Sequence, residues 1–349
     1  MIRDCIPTLL EDRHLTMDEA RAAMKEMMSG EATPAQVAAF LVALKKKRET
    51  VEEITALAGA VREFSTRIHP KVDGYLLDTC GTGGDRTKTF NVSTTCAFVI
   101  AGAGVHIAKH GNRSFASRCG SADVLERLGL NLNMEPEVAE RSIQEIGVGF
   151  MFAPNFHPAM KNVASVRREV GVRTVFNILG PLTNPAGANA QLIGVYDQSL
   201  LEPMCEAAHN LGVETVMTVH GLDGMDEISV TGRTAIVRIH NGTRTREEIE
   251  PEQLGIERAT PMEVAGFDIE ENARLTARIL SNSLPRGDPR LQIVLANAAA
   301  GLMLCQKVKD WKDGMEMAAK SVSDGEAFRK LRNMIQFSGG DPERLDSLA

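Results

Sequence analysis

Residues 78–114 read DTCGTGGDRTKTFNVSTTCAFVIAGAGVHIAKHGNRS, and two strand-to-loop junctions lie inside this stretch. The apolar run Tyr75, Leu76, Leu77 leads into Gly81, Gly83, Gly84 and Asp85, the pattern of a strand ending in a loop that bares its backbone amides. Thr87, Thr89, Asn91, Ser93, Thr94 and Thr95 follow, just before the helix-compatible segment 96–103. Donors at a helix start suit phosphate. A second strand-like run, 105–108, delivers Lys109, His110, Gly111, Asn112, Arg113 and Ser114. Two loops of this kind can hold one polyanion between them. Neither is a familiar nucleotide loop: the third glycine of the dinucleotide fingerprint is missing from both glycine clusters, and neither ends in Gly-Lys-Ser/Thr.

Outward from this stretch, from about residue 71, the chain alternates strand, loop and helix. Residues 122–128 and 136–146 predict helices and 148–152 a short strand. Further on, 191–196, 214–219 and 234–240 predict strands, with a helix over 200–211. Residues 176–185, FNILGPLTNP, carry a glycine and two prolines and predict a rigid turn rather than a helix interior. The polar segment 241–253 predicts a surface excursion with a hairpin turn at Asn241 and Gly242. From Ile269 onward helices dominate, notably over 274–282, 292–306 and 314–322, with nothing chemically telling after Glu227. The fold class is therefore α/β, with a mostly parallel central sheet flanked by helices. Such sheets bind ligands at the carboxyl ends of their strands, where both anion loops stand.

Residues 1–70 predict helices only. Thr16 with Glu19, Thr33 with Gln36 and Thr50 with Glu53 each fit a capping box, so three helix starts are marked. Pro34 suits a first helical position, and Gly30 closes the first helix before it. Val37, Phe40, Leu41 and Leu44 form a stripe that either the rest of the chain or a second subunit must cover. The domain expectation is a small N-terminal α-helical domain, 1–70, and a large α/β domain, 71–349.

At 349 residues the chain can bury a substantial core, and its 43% hydrophobic and 24% charged content is that of an ordinary globular protein. The formal net charge of -7 supplies no basic field for nucleic acid or an anionic membrane, so any anion site must be local. The charged N-terminus and the interrupted apolar runs predict neither a secretory signal nor a membrane span, hence a cytoplasmic protein. Six scattered cysteines without a CxxC pair point away from structural zinc and from a disulfide framework. Cys80, beside the glycine loop, is either a packing residue or a reactive thiol.

Three other features bear on chemistry. Arg167 shares a helical face with Met160, Val163 and Ala164; it either snorkels to the surface or presents a planar fork to a carboxylate. His157 either caps a helix or touches a substrate. Asp226 and Glu227 are either solvated loop charges or, at a strand end, hard oxygen ligands for Mg²⁺.

GTGGD at 81–85, NVST at 91–94 and KHGNRS at 109–114 resemble the anthranilate phosphoribosyltransferase family. The likeness continues, in the family's order, through His157 to Met160, Arg167 and Arg168, residues 173–185, and Asp226 with Glu227, over nearly the whole chain. The resemblance implies transfer of the phosphoribosyl group of phosphoribosyl pyrophosphate to the amine of anthranilate, giving N-(5-phosphoribosyl)anthranilate and pyrophosphate in tryptophan biosynthesis. It implies phosphoribosyl pyrophosphate binding by Gly81, Gly84, Asp85, Thr89, Asn91, Val92, Ser93, Thr94, Lys109, His110, Gly111, Asn112, Arg113, Ser114, Phe115, Ala116, Ser117 and Ser121. It implies anthranilate binding by Gly81, Asn112, His157 and Arg167, and two Mg²⁺ ions per subunit at Ser93, Asp226 and Glu227. No covalent nucleophile is required; Lys109, Asn112 and Arg167 would position substrates and transition state. A homodimer through the helical domain, joined by helices around 158–185, is implied as well, with no nucleic-acid or membrane partner. Two alternatives are a pyrimidine nucleoside phosphorylase, which the residues around Lys109 fit less well, and a non-catalytic nucleic-acid-binding relative, which an acidic chain retaining Asp226 and Glu227 fits poorly.

Overall fold

The computed structural model describes residues 1–84, 89–114 and 119–349; Asp85, Thr87, Phe115, Ala116 and Ser117 lie outside the described residues. The chain opens with α1 (Ile2–Leu10), α2 (Met17–Ser29), α3 (Pro34–Lys47) and α4 (Val51–Glu63). All three capping boxes form, each threonine oxygen accepting from the amide three residues on while the acid or amide side chain bonds back to the threonine amide. The first helix, α1, escapes the capping signal because Met1 at its N-cap makes no side-chain capping bond, and it carries Pro7 inside; it forms by burying Ile2, Cys5 and Leu9 on one face. Gly30, at φ 82°, consequently closes the second helix rather than the first. The stripe Val37, Phe40, Leu41, Leu44 is buried within the chain, where α3 packs on α1 and on α9 (Lys161–Val170).

At the base of this bundle Lys47 and Glu53 form an ion pair at 2.7 Å with side chains 1% and 0% exposed. Glu53 also accepts from the amides of Leu15 and Thr50, both at 2.9 Å. One carboxylate thus caps α4 and ties it to the end of α3 and the approach to α2.

The α/β part contributes β1 (Leu76–Gly81), α5 (Val92–Gly102), β2 (His106–Gly111), α6 (Ser121–Arg127), α7 (Pro136–Ile146), β3 (Val148–Phe152), α8 (Ala153–Phe156) and α10 (Phe176–Leu179). There follow β4 (Ala190–Gly194), α11 (Leu201–Asn210), β5 (Thr215–Gly221), β6 (Thr234–His240) and β7 (Thr243–Ile249). The chain ends with α12 (Ile269–Leu280), α13 (Pro289–Leu304), α14 (Trp311–Ser323), α15 (Glu326–Phe337) and α16 (Pro342–Asp346). Seven strands form one sheet in the order β3-β2-β1-β4-β5-β6-β7. β1 to β5 are parallel; β6 and β7 add antiparallel strands at one edge. The chain leaves β1 for β2 and β3 on one side and returns to β4 and β5 on the other. The switch point lies between β1 and β4, where such a sheet opens a crevice at its carboxyl edge.

Two sequence expectations are corrected. Residues 176–183 are helical, as α10 and a 3₁₀ turn Gly180–Thr183, because Pro181 falls in the first turn of that 3₁₀ segment and Phe176, Ile178, Leu179 and Leu182 are buried; only Asn184 and Pro185 keep the expected turn. The excursion at 241–253 is largely the strand β7, paired in full with β6 through the expected turn at Asn241 and Gly242, both at positive φ.

The sheet has two apolar faces because its residues alternate. Leu192, Met217 and Ile236 join a core with α5, α13 and α15. Ile193, Val216 and Val237 join the opposite core, which also takes in the N-terminal helices, α9, α10 and α11. Arg62 of α4 donates to the carbonyls of Leu182 at 2.6 Å and Leu211 at 3.0 Å across this second core. Burial lowers its pKa to about 10. Residues around 158–185 therefore pack with the N-terminal helices as much as with the sheet.

Candidate active site

Three strand ends surround the crevice: Gly81 on β1, Gly111 on β2 and Gly194 on β4. The loop after β5 brings Asp226, 9% exposed, across the end of β4. A Cβ on Gly194 would lie 1.6 Å from the Asp226 carbonyl oxygen, and one on Gly81 would lie 2.9 Å from Asp226 Oδ2. Asp226 Oδ2 accepts from the amide of Gly83 at 3.0 Å, and Glu227 Oε1 accepts from the amide of Ser93 at 3.1 Å. The two acids are not solvated loop charges; they are tied to the glycine loop and to the start of α5.

Ser93, Thr94 and Val92 occupy the first turn of α5, with Asn91 at its N-cap position. Asn91 makes no capping bond. Its Nδ2 donates to the Cys119 carbonyl at 3.4 Å, and its Oδ1 accepts from Asn272 on α12. Thr89 forms an isolated bridge with Ala265. Lys109 on β2 is buried, its Nζ donating to the Thr79 carbonyl, and beneath it lies the fully buried Asp78. Burial raises the pKa of Asp78 while the Lys109 cation opposes the shift. Arg113 pairs with Asp123 at 3.0 Å and Glu126 at 2.7 Å and sits 5.7 Å from the Phe152 ring centre, so its charge is engaged on α6. Ser114 donates its amide to Asp123, and Ser121 Oγ donates to the Asn112 carbonyl.

These groups line a cavity of about 530 Å³ that contains Gly84, Asn91 to Thr94, Lys109 to Ser114, Ser121, Asp226 and Glu227. A second cavity of about 680 Å³ adjoins it. The second is apolar, walled by Val61, Pro154, Pro158, Met160, Phe176 and Leu179. Gly81, His110, Gly111, Asn112, Arg167 and Arg168 border both. Val163 and Val166 fasten α9 into the second core, which turns Arg167 to this border. Its guanidinium stands 5.0 Å from the Phe176 ring centre, and burial lowers its pKa, so an anion beside it is favoured.

His157 is 6% exposed, forms no capping bond, and tilts against His110 with ring centres 4.9 Å apart. Neither of its ring nitrogens has a hydrogen bond of good geometry, and the same holds for His110 Nε2. Burial pushes the His157 pKa down to about 4, only partly offset by the Thr183 backbone, and burial with the neighbouring His157 holds His110 well below its usual value. Both rings are neutral walls of the apolar cavity. Protonation favours the unfolded chain between the ordinary value of 6.5 and the folded value, so stability is full above pH 6.5 and falls toward pH 4. Each ring contributes up to about 1.4 kcal/mol per pH unit in that window. The expected result is a shallower dependence of the urea midpoint on pH between 6.5 and 4.5 for His157→Phe than for the wild type.

Cys80 borders both cavities, but burial, and next the Asp78 carboxyl, raises its pKa well above the ordinary thiol value. It is a packing residue. Val61, Asn272 and Arg173 also belong to the site region; Val61 and Asn272 carried no sequence signal of their own, and Arg173 entered only as the first residue of the family-like run 173–185, with no role attached.

A mostly parallel sheet with a cavity of amides and hydroxyls at its switch point, two acids beside it and an adjoining apolar cavity has the features of a transferase acting on a phosphorylated donor. The description "Glycosyl transferase family, a/b domain" matches residues 73–328, and "Glycosyl transferase family, helical bundle domain" matches 3–65. A relative from Symbiobacterium thermophilum, named anthranilate phosphoribosyltransferase, is 51% identical over 328 residues, covering 94% of this chain and 95% of its own length. The crystal structure of anthranilate phosphoribosyltransferase from Thermus thermophilus superposes with a TM-score of 0.89 at 41% identity, covering 96% of this chain and 99% of that one. The Saccharomyces cerevisiae enzyme in complex with PRPP and Mg gives a TM-score of 0.90 at 29% identity, covering 97% and 98%. The chain belongs to the anthranilate phosphoribosyltransferase family.

Proposed function

We propose that this chain transfers the phosphoribosyl group of phosphoribosyl pyrophosphate to the amine of anthranilate, releasing pyrophosphate, in tryptophan biosynthesis. The observation that carries this reading is the pair of adjoining cavities: an apolar slot with a guanidinium at its border opens into a cradle of amides, hydroxyls and Lys109. A flat aromatic carboxylate fits the first and a phosphorylated, diphosphate-bearing sugar the second. The amine of anthranilate then faces C1 of the ribose at Gly81 and Asn112. As it attacks C1, the C1–O bond to the diphosphate breaks, the diphosphate leaves on the side of the glycine loop, the configuration at that carbon inverts, and the nitrogen sheds one proton to the departing diphosphate or to water.

An aromatic amine is already largely unprotonated at neutral pH, so the chain's task is orientation and stabilisation of the departing charge. Arg167 binds the carboxylate, the neutral rings of His110 and His157 with Pro154 and Pro158 hold the aromatic plane, and Lys109 with the amides of the two loops faces the phosphates. Ser93, Asp226 and Glu227 supply hard oxygen donors, brought together because Gly81 and Gly194 let Asp226 approach the strand ends, and such a donor set fits Mg²⁺ shared with substrate oxygens, two ions per subunit. When bound, Mg²⁺ neutralises charge on the leaving diphosphate. Among the described residues no three His, Cys, Asp or Glu side chains stand together, and substrate oxygens would complete the coordination.

The division into a helical domain, 1–70, and a catalytic domain, 71–349, with a homodimer interface on the former and helices around 158–185, forms part of this reading. Met1, Leu10, Met17 and Val42 expose large apolar side chains on or beside the first three helices, which supports it. A single monomeric mass by light scattering at micromolar concentration would overturn the dimer. Cysteines that are all free support a cytoplasmic location, and no helix among the described residues is long and apolar enough to cross a membrane.

The test is to mix protein, anthranilate, phosphoribosyl pyrophosphate and Mg²⁺ and follow anthranilate fluorescence, with a chelator as control. Loss of signal must require every component; no loss at high enzyme concentration rejects the acceptor. Arg167→Ala is expected to raise the KM for anthranilate about 10–100-fold while that for phosphoribosyl pyrophosphate changes by less than about threefold, because only the carboxylate loses its charged partner. Equal losses for both substrates would remove Arg167 from its role.

A further inference from the structure

Arg173 follows the stop of α9 at Gly171 and precedes α10. Its guanidinium carbon lies 4.2 Å from the centre of the Tyr196 ring, and its Nη2 donates to the Gly84 carbonyl at 2.7 Å. Tyr196 stands just beyond β4, and its own amide donates to Thr82 Oγ1 at 3.0 Å. The glycine loop is therefore held from two sides, by Asp226 at the Gly83 amide and by the Arg173–Tyr196 stack at Thr82 and Gly84. Gly84 is needed for this: it has φ +81°, and a Cβ there would fall 2.4 Å from Arg173 Nη2. A carbonyl and an aromatic face do not cancel the cation, and Arg173 lines the same cavity as Ser93, Asp226 and Glu227.

We propose that Arg173 is a positioning residue for the diphosphate of the phosphoribosyl donor. It sets the glycine loop by taking the Gly84 carbonyl, so that this partial negative charge faces a cation, and it brings its remaining N–H groups to the donor cavity. Stacking on Tyr196 fixes the plane of the fork, which a flexible ammonium cannot reproduce. Because Arg167 stands six positions earlier on the same continuous segment, the acceptor clamp and the donor loop are joined through one short stretch of backbone. This assignment rests on the cavity being the donor site.

The test compares wild type, Arg173→Ala, Arg173→Lys and Tyr196→Leu in two readouts: calorimetric titration with inorganic pyrophosphate and Mg²⁺, and separate KM values for the two substrates. Arg173→Ala is expected to weaken pyrophosphate binding and raise the donor KM about tenfold or more, with the anthranilate KM within about twofold. Arg173→Lys should recover only part of the loss, and Tyr196→Leu should lose about threefold through the disordered fork. Pyrophosphate affinity and donor KM unchanged in Arg173→Ala would overturn the proposal, as would equal losses for both substrates, which indicate general loosening. A wild type that binds pyrophosphate through Arg173 yet does not consume anthranilate leaves this assignment standing and rejects the acceptor. A wild type that does neither rejects both.

Discussion

Gly194→Ala is expected to lower kcat about a hundredfold or more in a protein that still folds. Residue 194 ends β4 with an ordinary extended backbone, so the barrier is space rather than conformation. The added Cβ would sit 1.6 Å from the Asp226 carbonyl oxygen and 2.7 Å from its carbonyl carbon. Both are backbone atoms, which cannot rotate aside as a side chain can. The loop after β5 must move by an ångström or more, carrying Asp226 Oδ2 away from the Gly83 amide and Glu227 Oε1 away from the Ser93 amide. The Mg²⁺ concentration for half-maximal rate should rise with the loss of kcat, whereas KM for anthranilate, bound on the far side of Gly81, should hardly change. The contact with Asp226 should yield more easily in Gly81→Ala, where the Cβ would meet a carboxylate oxygen at 2.9 Å, and any loss there should extend to the anthranilate KM because Gly81 borders both cavities. Wild-type kcat and Mg²⁺ dependence in Gly194→Ala would mean that the acids are not set by this contact.

Glu53→Ala is expected to destabilise the N-terminal helices by about 3–5 kcal/mol, the cost of stranding one partner of a buried ion pair. Lys47 would be left without its carboxylate in a site where its side chain is 1% exposed, and the amides of Leu15 and Thr50 would lose their acceptor together. Urea unfolding can separate this from a global effect. Trp311, the one tryptophan, begins α14 in the α/β core, while far-ultraviolet circular dichroism reports all the helices. In the variant, part of the helical signal should be lost before Trp311 fluorescence changes. The double variant Lys47→Met, Glu53→Leu should recover only the part of the loss that comes from the stranded charge, because the amides of Leu15 and Thr50 still lack their acceptor. Coincident transitions at the wild-type midpoint would show that the pair contributes nothing.

Local signals located most of the elements. The Thr16, Thr33 and Thr50 boxes marked their helices because a cap depends on residues three apart, and α7, β3 and β6 follow from apolar spacing within a single element. The helix α1 lacked such a signal because it has no capping side chain. Residues 176–185 misled because Gly180 and Pro181 usually break helices, and here Pro181 falls in the first turn of the 3₁₀ segment while burial of Phe176, Ile178 and Leu182 in the second core favours the helical turns. The candidate site was legible where its donors crowd strand ends, in Gly81 to Gly84, Asn91 to Thr94 and Lys109 to Ser114. Arg113 shows the limit of that reading: it stands in the loop as expected, yet its guanidinium is taken up by Asp123 and Glu126.

Residue order alone carried the alternation of strands and helices, the two anion loops and the candidate acids, since each depends on neighbours within a few positions. Only the tertiary structure placed β4 beside β1, and with it every contact that makes those loops a site. Asp226 reaches Gly83 across 143 positions, Glu227 reaches Ser93 across 134, and Arg173 reaches Gly84 across 89. No local pattern encodes such pairings, because they arise from which strands become neighbours and from the space that Gly194 and Gly84 leave between them.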